Sequence, residues 1–319
     1  MRSRAVLAAR SSLVLLLVGG SGVAQEAHDW LDRMSRSVEE LNYRGTFVHI
    51  LGGTARQLYI VHRNVDGQSG ERILSMSGTG REIVRQGDLV QSILPDQRVV
   101  LFETRKGVSP LVSALPSGGA ELELHYEITL GGRARVADRA TQVLEIKPLD
   151  EFRYGYKLWL DRETAMPLQS QLVDGQGGVV EQIMFTEIEV PADIPPGDLE
   201  PTIETTGFTA LRAAELPALA AEISWQANDV PGGFRLSIAT QSPMAGSEAP
   251  VDHLVYSDGL ATVSVFIESA RTQSDVREGF SNVGSTNAYT IVLRGRKVTA
   301  MGEVPPQTVR TIATSLVAK

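Results

Sequence analysis

The sequence contains no cysteine, so disulfides and thiolate metal sites are closed to it, and each folded unit must be held by buried apolar area alone. Positive charge is scarce as well. Thirty lysines and arginines stand against 38 acids, for a net charge of −8, a balance that argues against nucleic acid, whose phosphates need clustered basic residues. Long apolar runs are missing: the stretch from Ser11 to Val18 is well short of the roughly 20 residues of a spanning helix. Catalytic signatures are missing too. His28, His49, His62, His125 and His253 are scattered without H-E-x-x-H spacing, although His49 and His62 could face one another across a hairpin. No G-x-S-x-G elbow, P-loop or dinucleotide fingerprint occurs, and Gly78-Thr79-Gly80 reads as a turn. Glu121, Glu123 and Glu127 alternate like the solvated face of a strand rather than an acid and base pair. These absences predict a non-enzyme with no catalytic residue, no metal and no cofactor. A polysaccharide hydrolase would rest on abundant carboxylates alone.

What is present begins with an address. Arg2, Arg4 and Arg10 precede the apolar stretch, and Gly22-Val23-Ala24 supplies the small residues of a cleavage site, so residues 1–24 read as a secretory signal peptide. Cleavage after Ala24 takes away three arginines and no acid, which moves the net charge from −8 to −11. The length remaining fits two domains.

Trp30, Leu31, Met34, Val38 and Leu41 fall on one helical stripe, with Asp29 as its predicted cap. From Tyr43 the texture changes to short apolar runs broken by Gly and Asp, a meander of hairpins that continues to Val190. Glu121 to Tyr126 reads as a strand, and Asp174 to Gly178 as a turn between two others. Many antiparallel strands and one helix predict a curved sheet folded partly around that helix. Pro191, Pro195, Pro196, Pro201 and Pro217 then predict a linker over 191–221, with a short helix near Leu211 to Leu219. Beyond it, Asp258-Gly259 and Arg294-Gly295 mark hairpins. Pro305-Pro306 opens a terminal helix with Val309, Ile312 and Leu316 on one stripe. The expected fold class is therefore α+β, mainly β, divided as 25–190, a linker over 191–221, and a smaller α+β domain over 222–319.

Aromatic residues on the first domain's strands, among them Phe47, Tyr59, Phe102, Trp159 and Phe185, have two readings. Burial accounts for most such residues. Alternatively, these five line a concave apolar cavity able to take an acyl chain.

Several segments resemble the RseB/MucB family of periplasmic sigma-factor regulators. They are Trp30-Leu31, Tyr43-Arg44-Gly45-Thr46-Phe47-Val48, and Arg153 to Asp161 running on to Leu168. In the second half they are Trp225 with Pro231-Gly232-Gly233-Phe234, then Tyr256 to Glu268, and Gly302-Glu303-Val304-Pro305. Asp138 stands where the family pattern leads one to expect Gly. The resemblance implies a larger domain like the lipoprotein-localisation proteins, an incomplete antiparallel barrel wrapping helices. It also implies binding of the periplasmic segment of a membrane-spanning anti-sigma factor (RseA/MucA-like), protection of that segment from regulated proteolysis, and release when lipid, lipopolysaccharide or lipoprotein acyl chains occupy the larger domain. Trp225, Phe234, Tyr256 and Phe266 are the candidate partner anchors, with core packing as their other reading. A homodimer is a further expectation. The competing function is a periplasmic lipid or lipoprotein carrier, which would have no need of residues 222–319.

Overall fold

The computed structural model describes residues 20–104, 115–116, 122–212, 223–242, 249–269 and 276–318. The first helix, α1 (Gly20–Glu40), carries the expected stripe, with Leu31, Met34 and Val38 buried and Ala27 extending it by one turn. Asp29 does not cap it. The helix runs through that position, and Asp29 instead accepts a hydrogen bond from the Gln25 amide one turn earlier, at 3.0 Å.

Six strands follow as a meander: β1 (Tyr43–Leu51), β2 (Thr54–Val65), β3 (Gln68–Ser75), β4 (Glu82–Gln86), β5 (Leu89–Leu94) and β6 (Val99–Thr104). Five more, β7 (Tyr126–Val136), β8 (Arg139–Pro148), β9 (Gly155–Asp161), β10 (Pro167–Val173) and β11 (Val179–Glu189), form a second meander. The antiparallel pairing of β1 with β11 joins the two, and β12 (Thr209–Arg212) adds itself parallel to β6. The resulting twelve-stranded sheet is open, with β12 and β7 as its edges. It is also strongly curled, because β7 comes close to β11 although three strands lie between them. α1 lies against β7, and its stripe shares one core with Leu122, Tyr126, Ile128, Leu144, Leu158 and others from β7–β9.

Three sequence expectations are corrected in this half. Leu122–Leu124 is a 3-10 turn rather than a strand, closed by the His125 N–H donating to the Leu122 carbonyl at 2.9 Å, and Leu124 points to solvent. His49 and His62 do not face one another: the register sets His49 against Arg56 and His62 against Tyr43, on which its ring stacks at 4.8 Å. The first part of the proline-rich stretch packs on the larger sheet. Ala192, Ile194 and Leu199 are buried with Val61, and the Glu82 carboxylate, fully buried, accepts from the Thr202 and Ile203 N–H groups at 2.9–3.0 Å. Leu211 and Arg212 belong to β12 rather than to a helix; residues 213–222 lie outside the described residues.

The second half builds a six-stranded sheet in the order β14-β15-β16-β19-β18-β17. Its strands are β14 (Arg235–Ser242), β15 (Val251–Ser257), β16 (Thr262–Ser269), β17 (Gly279–Val283), β18 (Thr286–Leu293) and β19 (Arg296–Gly302). Both Gly-containing hairpins form where the turn chemistry puts them, β15–β16 around Asp258-Gly259 and β18–β19 around Arg294-Gly295. The helix α2 (Pro306–Thr314) covers β18 and β19 with Val309 and Ile312 fully buried. A two-stranded sheet of β13 (Trp225–Ala227) and β20 (Leu316–Ala318) completes this core.

Candidate functional site

Among the described residues, a fully buried polar network lies where the two domains meet. Arg153 sits in the loop between β8 and β9, and Asp258 sits at the tip of the β15–β16 hairpin. Both side chains are fully buried, and Arg153 Nη1 contacts Asp258 Oδ2 at 2.5 Å. Each partner is held by further hydrogen bonds. Arg153 Nε donates to Asp150 Oδ1 at 3.0 Å, and Nη2 donates to the Gly232 carbonyl at 2.5 Å. Asp258 Oδ1 accepts the Leu260 and Ala261 N–H groups of its own turn at 2.9 and 2.7 Å, while Oδ2 accepts the Tyr126 hydroxyl at 3.0 Å. The guanidinium is sandwiched between the rings of Tyr126, 5.4 Å away, and Phe234, 5.2 Å away. Burial first, and the Asp258 charge after it, push the Tyr126 phenol far up, so its hydroxyl stays a donor.

The physics of such a pair defines its role. Taking two charges out of water roughly cancels their attraction, so the pair adds little net stability over an apolar substitute. Removing one partner alone leaves an uncompensated buried charge, which costs several kcal/mol. The pair joins the β8–β9 loop of the larger domain to the β15–β16 hairpin of the smaller one. Around it Leu260 packs onto the α1 core of the larger domain, and the His125 ring lies against Gly233. That glycine has φ of +85°, and a Cβ there would clash with the ring, 2.3 Å from Nε2. Only glycine meets both conditions.

Further seam contacts come from elsewhere in the chain. Thr308 Oγ1 of α2 donates to the Phe152 carbonyl at 2.6 Å, and Asn287 Nδ2 donates to the Tyr154 hydroxyl at 3.0 Å. Beside the seam, Glu181 of β11 contacts His49 Nε2 of β1 at 2.7 Å within the larger sheet, and Ser285 of the smaller domain, which donates to Glu303 at 3.0 Å, also hydrogen-bonds Glu181 across the seam. Burial, and next the charge of Glu181, raise the Glu303 carboxyl above its ordinary range.

The candidate partner anchors divide. Trp225, Phe234 and Tyr256 are buried in the smaller domain's core, where the Tyr256 hydroxyl accepts the Ala227 N–H at 2.8 Å. Phe266 alternates with the core residues Val265 and Ile267, so it lies on the opposite, open face of the sheet. There it stacks on His253 at 4.5 Å and lines a cavity of about 300 Å³ with Tyr156, Leu260 and Met301, at the domain seam. Among the candidate cavity residues, Phe47 and Phe185 are buried together, with ring centroids 5.5 Å apart, and Trp159 packs on the same cluster. Tyr59 packs on the separate cluster around Val61. Phe102 lies under the Arg212 guanidinium at 5.2 Å, near the sheet's edge. None of the five lines the two larger cavities formed by described residues, of about 640 and 530 Å³.

Arg153, Asp258 and Tyr126 were not singled out as site residues by the sequence reading. The available signal was polar residues inside otherwise apolar motifs, in Phe152-Arg153-Tyr154 and Tyr256-Ser257-Asp258.

Comparison with known proteins places this geometry in a family. Over 319 aligned residues the chain is 32% identical to the sigma factor AlgU regulatory protein MucB of Pseudomonas aeruginosa, covering 96% of this chain and 97% of that one. Among solved structures it resembles the complex of P. aeruginosa MucA and MucB, with a TM-score of 0.73 at 28% identity, covering 92% of this chain and 99% of that one. It also resembles the crystal structure of MucB, with a TM-score of 0.64 at 29% identity, covering 94% and 99%. Residues 26–203 match the MucB/RseB N-terminal domain and residues 220–317 match the MucB/RseB C-terminal domain, the two halves that Arg153 and Asp258 join, and the chain thus belongs to the MucB/RseB family.

Proposed function

We propose that this chain is a periplasmic, non-enzymatic negative regulator of an extracytoplasmic-function sigma factor. It binds the periplasmic segment of a membrane-spanning anti-sigma factor and shields that segment from regulated proteolysis. The observation that carries this reading is the match to MucB along both domains, together with the likeness to MucB in complex with MucA. Phe266, on the open face beside the seam, is the anchor best placed to meet a partner, and Trp225, Phe234 and Tyr256 act by holding the domain that presents it.

The larger domain, 25–190, forms in this proposal an incomplete barrel around α1. The linker spans 191–221 and the smaller domain 222–319. An acyl chain of lipid, lipopolysaccharide or lipoprotein opens the cluster of Phe47, Trp159 and Phe185, with Tyr59 and Phe102 further along the sheet. For that ligand to release the partner, it must prefer the domain arrangement of lower partner affinity. The test is protection: cleavage of the anti-sigma segment by its periplasmic protease should slow when this chain is added and recover on adding the lipid. Equal cleavage rates with and without the chain would refute the proposal.

A further inference from the structure

We infer that the turn end of the first meander is a binding site for a phosphate monoester. Three connections close around a cavity of about 530 Å³: the β1–β2 hairpin with Thr54 and Arg56, the β3–β4 loop from Ser77 to Arg81, and the 3-10 turn Pro95–Gln97 between β5 and β6. They meet there because every second hairpin of an antiparallel meander turns back at the same end.

The lining is unlike the rest of the surface. In a chain of net charge −8, this cavity takes two guanidinia, Arg56 and Arg81, against one carboxylate, Asp96. Neither guanidinium has a hydrogen bond or ion pair to any described residue, whereas Arg44, Arg72, Arg139 and Arg153 are all paired with carboxylates. Ser77 Oγ accepts the Gln57 N–H at 2.9 Å, which leaves the hydroxyl proton free to donate into the cavity. Gly78, at φ +74°, has nothing within 4 Å of its Cβ position, so the loop backbone is open to an incoming group.

Arginine forks match the oxygens of a phosphate two at a time, and hydroxyl and backbone N–H donors complete such a cradle. The two guanidinia outweigh Asp96, so the lining is net positive and suits an anionic group such as a phosphate monoester, whose oxygens can take both forks. The cavity is larger than a phosphate group and leaves room for the sugar or glycerol that bears it. Two sources offer that chemistry, a dissolved phosphorylated metabolite and the headgroup of a phosphorylated lipid. The inference does not depend on the anti-sigma contact, which the seam chemistry addresses separately.

The test uses the full mature chain in low-salt, phosphate-free buffer, since exposed charges are screened by salt. One arm titrates inorganic phosphate by calorimetry. The other measures retention on phosphatidylcholine vesicles containing phosphatidic acid, against phosphatidylcholine alone. Binding is expected in at least one arm. Arg56→Gln and Arg81→Gln should each weaken it about tenfold or more, as the loss of a charge-assisted hydrogen bond does. Arg81→Lys should retain part of the affinity and guards against a Gln variant that misfolds. Lys147→Gln, at the separate 640 Å³ cavity, should change nothing. Phosphate binding without vesicle retention assigns the site to a solute, and retention without phosphate binding assigns it to a lipid. Binding in neither arm overturns the site, and so does binding that Arg56→Gln and Arg81→Gln leave intact.

Discussion

Replacing Arg153 with methionine should uncouple the two domains. The side chain is fully buried, and two of its acceptors, Asp258 Oδ2 and the Gly232 carbonyl, belong to the smaller domain. Methionine fills much of the volume and supplies no donor. Asp258 then keeps the Tyr126 hydroxyl and two turn N–H groups but loses its countercharge, and the Gly232 carbonyl loses its guanidinium donor. Breaking a buried pair from one side costs about 3–5 kcal/mol, and here that loss falls on the seam. Asp258→Asn keeps an oxygen for the Leu260 and Ala261 N–H groups while removing the charge, so the double variant should cost less than the sum of the singles by about 1–3 kcal/mol. The chain carries three tryptophans, Trp30 and Trp159 in the larger domain and Trp225 in the smaller, so variants retaining one of them report each domain in urea unfolding. The unaltered chain should unfold with the same midpoint by both reporters, and Arg153→Met should separate them. A change below about 1 kcal/mol with coincident midpoints would refute this coupling.

Two further predictions concern single residues. Glu303 has a raised pKa in the folded chain, by burial first and by Glu181 next. The folded state therefore holds that proton more tightly than the unfolded chain, so its contribution is most favourable at acid pH and is lost as pH rises through the raised value. Glu303→Gln should accordingly raise the melting temperature at pH 7 and flatten its dependence on pH above the ordinary carboxylate range; a lower melting temperature at pH 7 would contradict the reading. Ala137 and Asp138 both take left-handed backbone angles, φ of 47° and 64°, in the β7–β8 turn, a two-residue form that favours glycine second. Asp138→Gly relieves that strain at some cost in unfolded-state entropy, and the Arg135–Asp138 pair it removes is exposed and worth little. The net gain expected is about 0.5 kcal/mol, or about 1–2 °C in a thermal melt, and a fall in melting temperature would show the strain argument to be wrong.

What the sequence discloses follows the range of the interactions. The β15–β16 and β18–β19 hairpins were legible because their turns carry their own chemistry, and the α1 stripe because burial repeats along one helix. The length of that helix was not, since its first residues, Gly20 to Ala24, read as the end of a signal peptide. The addition of β12 alongside β6 escaped because it joins segments more than a hundred residues apart and leaves no local pattern. The Arg153–Asp258 contact escaped for the same reason, the partners being 105 positions apart. The aromatic residues show the limit from the other side. Trp225 and Phe266 look alike in a strand sequence, and only register and sheet packing place the first in a core and the second on an open face.

The central claim is that this chain holds the periplasmic segment of an anti-sigma factor. Titrating the purified mature chain with that segment in a calorimeter tests it most directly. The account predicts a saturable complex at micromolar concentrations, weakened by Phe266→Ala and by Arg153→Met. No heat and no co-elution at those concentrations would contradict it.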